Sequence, residues 1–101
     1  IDGQHQVFVH TLGEAVDGYV YVSIDPDAQE GYIEFLAVLP AQRGKGIGLQ
    51  LLNCAMAWCY FDKGVARVAL TVDGKLDNAR ALYERAGFRL HYTGVNTRLE
   101  I

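Results

Sequence analysis

Arg43-Gly44-Lys45-Gly46-Ile47-Gly48 is the stretch around which the chain is organised. It follows a strand-like run, Tyr32 to Leu39, and opens a helix-like run from about Gly46 to Asp62. A strand that turns through glycines into a helix is a ready anion site. The first N–H groups of a helix have no internal partner, and the helix dipole is positive there. Glycine lets the backbone approach an anion closely. Arg43 and Lys45 add positive charge beside those donors. The spacing excludes two phosphate loops. Gly-x4-Gly-Lys-Ser/Thr is absent, and the glycines at 44, 46 and 48 put Leu49 where the dinucleotide fingerprint needs its third glycine. The same spacing also suits a flexible strand-to-helix turn with no ligand.

Working outward, Gln6 to Leu12 and Ala15 to Ile24 read as strands, rich in β-branched and aromatic residues. Gly13-Glu14 is the preferred turn between them, with Gly18 as a bulge. Asp17-Gly18 is the other turn that the residues allow. Asp25 to Gly31 has the composition of a loop, and Pro40 ends the third strand. The helix carries Gly48, Leu52, Ala55 and Cys59 at helical spacing, and Gly64 suits its end. Val65 to Val72 reads as a buried strand, parallel to Tyr32–Leu39 through a right-handed crossover. Asp77 is placed to cap a second helix, Asn78 to Ala86, ended by Gly87. Phe88 to Thr93 is a further strand, Gly94-Val95-Asn96 a turn, and Thr97 to Ile101 a last short strand. The order β-β-β-α-β-α-β(-β) gives one mixed α/β sheet.

Composition bounds the rest. The 101 residues are 50% hydrophobic and 21% charged, with a formal net charge of −3. That balance suits one small globular domain and argues against a nucleic-acid partner. No run nears the roughly 18 apolar residues of a membrane span. Cys54 and Cys59, five apart on a helix, point in different directions and read as neither disulfide nor metal pair; a reducing, cytoplasmic setting fits them. His5, His10 and His91 are scattered without metal-ligand spacing.

Two motifs together carry a resemblance. Arg43-x-x-Gly46-x-Gly48 after Phe35-Leu36-Ala37-Val38-Leu39-Pro40 resembles the pyrophosphate loop and central strand of the GNAT acetyltransferases. Asn78, Ala81, Leu82, Tyr83, Gly87 and Phe88 are similar to that family's second block. The resemblance is close from Tyr32 to Phe88. It implies a GNAT-like fold in which acetyl-coenzyme A lies between Tyr32–Leu39 and Val65–Val72. The pyrophosphate would rest on the amides of Arg43, Gly44, Lys45, Gly46, Ile47 and Gly48, and the pantetheine arm on the backbone of Leu36, Ala37 and Val38. One of those amides would polarise the thioester carbonyl.

Tyr83 matches the family's usual general acid, or else a core tyrosine at a helix end. Asn78 would bond the pantetheine or cap its own helix. Glu34 is the acidic residue of the central strand and alternates in phase with Tyr32, Leu36 and Val38, so all four are expected on one face. It would take the amine proton directly or through water, or merely order the acceptor; Tyr32 is a candidate water holder. The acceptor is then a small-molecule or peptide amine.

The usual family domain is roughly half as long again and starts with a strand and two helices walling the acceptor pocket. The chain therefore reads as one N-terminally short domain, a piece of a longer protein, or one completed by a homodimer partner or neighbouring domain. A non-catalytic module that binds acetyl-coenzyme A, or nothing, is the other reading. A phosphate-ligand binder sharing only the glycine loop is a third.

Overall fold

The computed structural model describes the backbone of residues 4–73, 77–92 and 96–100, and the side chains of 4–71 and 81–89. Its elements are β1 (His5–Leu12), β2 (Ala15–Asp25), β3 (Glu30–Val38), α1 (Ile47–Ala57), β4 (Arg67–Asp73), α2 (Asp77–Arg85), β5 (Arg89–Tyr92) and β6 (Asn96–Glu100). They form a six-stranded mixed sheet in the order β1-β2-β3-β4-β6-β5. The mixed α/β fold and the parallel pair are as expected from the sequence: β3 and β4 run parallel and the other pairs antiparallel. The last strand exists, and it inserts between β4 and β5.

Gly13-Glu14 makes the first turn, and Gly13 takes the left-handed φ of 62°. The β1–β2 register jumps from His10↔Gly18 to Thr11↔Val16, so the bulge holds Asp17, next to Gly18. Asp17 is only 3% exposed, and its Oδ1 lies 2.6 Å from His10 Nδ1.

The core lies between the sheet and α1. Val20, Val22, Ile33, Leu51, Leu52, Ala55, Cys59, Val68 and Leu70 fill it. The helical run ends at Asp62, before a left-handed Gly64, as expected from the sequence, but its last turn has a different form. Beyond Ala57 it widens into a π-helical turn, Trp58–Asp62, in which the Lys63 N–H donates to Trp58 O at 3.1 Å. Gly64, at φ 66°, then reverses the chain. This turn seats Cys59 hard against β3, and a Cβ on Gly31 would stand 2.6 Å from Cys59 Sγ.

Gly31→Ala should therefore cost about 1–3 kcal/mol by overpacking, measured by urea denaturation. Cys59→Ala removes that sulfur, so the double variant should recover part of the loss. Independent, additive losses would mean that the two residues do not press on each other. Burial pushes the Cys59 thiol up to about 11. It therefore stays protonated and unreactive at neutral pH.

The second helix shows how a short motif builds geometry. The Phe88 N–H donates to Tyr83 O and the Gly87 N–H to Glu84 O, both at 3.1 Å. Gly87 has φ 108°, and Phe88 packs edge-on to Tyr83 at 6.2 Å between centroids. Left-handed glycine, both bonds and the apolar contact together make a complete Schellman cap. The Gly-Phe pair thus stops α2 and fixes Tyr83 at once. The Asp77 capping role and the Gly94-Val95 part of the expected turn lie outside the described residues, while Asn96 opens β6.

Candidate active site

The gap between β3 and β4 follows from where their pairing stops. They pair from Glu30↔Arg67 to Ile33↔Leu70 and no further. Beyond that point β3 keeps β2 as its partner and β4 keeps β6. The backbone of Leu36-Ala37-Val38 thus borders an opening on the β4 side. A strand edge of this kind can pair with an extended amide-bearing chain.

Pairing stops where β3 bulges. The β2–β3 register jumps from Tyr21↔Phe35 to Val22↔Ile33, leaving Glu34 as the extra residue. This corrects the expected phase. Tyr32 and Glu34 lie on the sheet face away from α1, whereas Leu36 and Val38 turn towards α1 and pack on the core. The bulge resets the alternation, so the four residues do not share one face. Glu34 is exposed and accepts a hydrogen bond from Ser23 Oγ at 2.9 Å. The Tyr32 hydroxyl donates to Thr71 Oγ1 at 2.5 Å.

The glycine loop begins with a 3-10 turn at Pro40–Gln42, tied down by the Gln42 N–H to Leu39 O at 2.9 Å. The Leu39 N–H donates to Asp17 O at 2.8 Å, which pins the end of β3 to the β2 bulge. Gly44 and Gly46 adopt φ of 81° and 83°, with nothing within 4 Å of where a Cβ would stand. Gly46 is the N-cap of α1; no side chain caps the helix and its first turn holds no acidic residue. Open space, uncapped donors and the positive end of a helix dipole together fit an anion such as a pyrophosphate.

Arg43 and Lys45 do more local work than expected. Arg43 Nε donates to Val38 O at 3.1 Å, strapping the loop to the end of β3, and Lys45 Nζ donates to Gln42 Oε1 at 2.9 Å. Gly48 serves packing, since a Cβ there would sit 3.0 Å from Leu82 Cδ2 of α2. That close approach brings α2, and with it Tyr83, beside the start of α1. Tyr83 is half-buried, and burial raises its pKa above the ordinary 10.0. Its hydroxyl therefore stays protonated at neutral pH. The Asn78 side chain lies outside the described residues. Among the described residues no helix is long and apolar enough to cross a membrane.

Sequence reasoning named Tyr32 but missed Ser23, Thr71 and the stacked pair Tyr21 and Phe35. A signal for the exposed Phe35 existed. The apolar positions Ile33, Leu36 and Val38 break strict alternation between 33 and 36, as a bulge requires.

The model of the acetyltransferase (GNAT) family matches residues 1–88. The mycothiol acetyltransferase of Beutenbergia cavernae is 44% identical over 63 residues, which is 62% of this chain and 21% of that protein. Its counterpart in Salinispora tropica is 38% identical over 72 residues, 71% of this chain and 24% of that protein. The matches thus span about a quarter or less of these curated relatives. The crystal structure of a nourseothricin acetyltransferase superposes with a TM-score of 0.88 at 24% identity, covering 99% of this chain and 66% of that one. A dodecameric spermidine N-acetyltransferase from Vibrio cholerae gives 0.81 at 21%, over the same shares. Both share the fold. With a family model covering most of its length, this chain belongs to the GNAT acetyltransferase family.

Proposed function

We propose that the protein is an acetyl-coenzyme A-dependent N-acetyltransferase acting on an amine. The observation that carries the reading is the conjunction of an open left-handed glycine loop with a parallel strand pair that parts along the strand leading into it. The donor supplies an acetyl group activated as a thioester. The amides of Arg43 to Gly48 would hold the pyrophosphate, and the Leu36–Val38 edge would align the pantetheine arm. A backbone amide there would polarise the thioester carbonyl.

Glu34, at the apex of the gap, takes a proton from the attacking amine as the new N–C bond forms, directly or through water held with Tyr32. Tyr83 gives its proton to the sulfur as the C–S bond breaks. Both residues then exchange protons with solvent and are reset. Asn78 is assigned to the pantetheine arm. The chain acts as a single GNAT-like unit, in a cytoplasmic setting. A second copy or a neighbouring domain completes the acceptor wall, and the acceptor is a small-molecule or peptide amine.

Incubation with acetyl-coenzyme A and a set of primary amines, read by mass spectrometry, tests the reading. Acetylated amine formed only with the protein present is the expected result. Tight acetyl-coenzyme A binding without acetylation of any amine would instead make this a non-catalytic acetyl-coenzyme A module.

A further inference from the structure

The β3 bulge does something ordinary alternation forbids: it brings two consecutive side chains, Glu34 and Phe35, to the same sheet face. Phe35 is 60% exposed and stacks on Tyr21, with centroids 6.4 Å apart and planes 15° from parallel. His5 extends this ledge, 5.9 Å from Tyr21. On the other side of Glu34 stands Tyr32, held by Thr71. A carboxylate thus lies between an open aromatic ledge and a phenol. Its neighbour in the ledge is one residue away, about 3.8 Å between Cα atoms.

Charge on this face is equally specific. The hydrogen bond on Glu34 comes from a neutral hydroxyl, Ser23 Oγ. Of the other described carboxylates on this face, Glu30 is paired with Arg67 at 3.2 Å, and Asp25 accepts the Asp27 and Ala28 N–H groups of its own loop at 3.1 and 3.3 Å. Among the described carboxylates of this face, Glu34 is therefore the one that stands beside the aromatic ledge without a cationic partner. It offers a place for one cation, next to a surface that attracts an apolar or aromatic body and is itself favourable to ammonium.

We infer that the acceptor is an arylalkyl primary amine, a single ammonium joined by a short spacer to a flat apolar group, seated with its nitrogen on Glu34 and its body on Phe35 and Tyr21. This rests on the acceptor reading above. A polyamine leaves the aromatic ledge uncovered, and an amino sugar gains little from it.

The test has two arms. In the first, acetylation of 2-phenylethylamine is compared with that of ethylamine, spermidine and glucosamine. The aryl amine should lead ethylamine by about tenfold or more in kcat/KM, the scale of a filled apolar pocket. Phe35→Ala, at an exposed position, should bring that ratio close to one, chiefly through KM for the aryl amine. In the second arm, 2-phenylethylamine is titrated into the protein without acetyl-coenzyme A and followed by NMR. The amide signals of Glu34, Phe35 and Tyr21 should shift and saturate, and Phe35→Ala should weaken this.

A preference for spermidine or glucosamine, or a ratio untouched by Phe35→Ala, overturns the inference. So does an NMR titration without shifts at these residues. Saturating shifts in a protein that acetylates nothing would uphold the amine site and sink the catalytic reading alone.

Discussion

Gly46→Asp should abolish acetyl-coenzyme A binding in a protein that still folds. Gly46 sits at φ 83°, which costs an L-residue about 1–2 kcal/mol, and aspartate is among the side chains that accept it most readily. A Cβ there meets nothing within 4 Å, so the fold has room for it. The new carboxylate would be drawn to the uncapped, positive start of α1. There it occupies the anion's place and repels the pyrophosphate. Like charges at such a contact cost several kcal/mol, so the affinity should drop by about a hundredfold or more. Gly46→Ala carries the same backbone strain without the charge and should lose far less. Calorimetry on both variants, with circular dichroism to verify folding, reads the result. Retained affinity in folded Gly46→Asp would remove the anion from this loop.

Tyr83→Phe should leave acetyl-coenzyme A affinity unchanged and lower kcat by about a hundredfold to ten-thousandfold, the usual worth of a positioned acid. The substitution keeps the ring that packs on Phe88 and the Schellman cap beneath it. Stability should therefore barely move. The pH profile separates roles further. Burial raises the Tyr83 pKa above 10.0, so its proton is present throughout the neutral range and is lost only as pH rises through that elevated value. In the wild type a falling limb above about pH 10 should appear, and Tyr83→Phe should lack it. A kcat within a few fold of wild type would reduce Tyr83 to a packing residue.

The fold was largely legible because its signals are local. Gly13-Glu14 is a turn pair between two β-rich runs. Gly31, Gly48 and Gly64 punctuate a strand, a helix start and a helix end. Gly87-Phe88 encodes a whole cap in two residues. The glycine loop was legible for the same reason, since left-handed backbone at Gly44 and Gly46 is written in residue type.

What escaped was long-range register. Nothing local to Glu34 says that Val22 pairs with Ile33 while Tyr21 pairs with Phe35. That slip decides which face Leu36 and Val38 occupy. The apolar spacing at 33, 36 and 38 hints at a break in alternation, but it does not say which cross-strand pairs slip. Asp17 is a similar case. A charged residue beside Gly18 suits a turn, yet the bulge carries it inward to His10 and makes its carbonyl the anchor of Leu39. Such a position is chosen by the packing of α1 over β2, which no window of neighbours contains.

The π-helical turn belongs with these. Its sequence, Trp58 to Asp62, reads as ordinary helix. Its widening accompanies the seating of Cys59 over Gly31, a contact between residues far apart in the chain.

The central claim is that the loop and the parted strands together bind the acetyl donor. Calorimetric titration with acetyl-coenzyme A, free coenzyme A and adenosine monophosphate tests it most directly. The account predicts micromolar binding of acetyl-coenzyme A and coenzyme A, and much weaker binding of the mononucleotide, which lacks the pyrophosphate and pantetheine. Adenosine monophosphate binding as tightly as the full donor, or no binding of acetyl-coenzyme A to the folded protein, would contradict it.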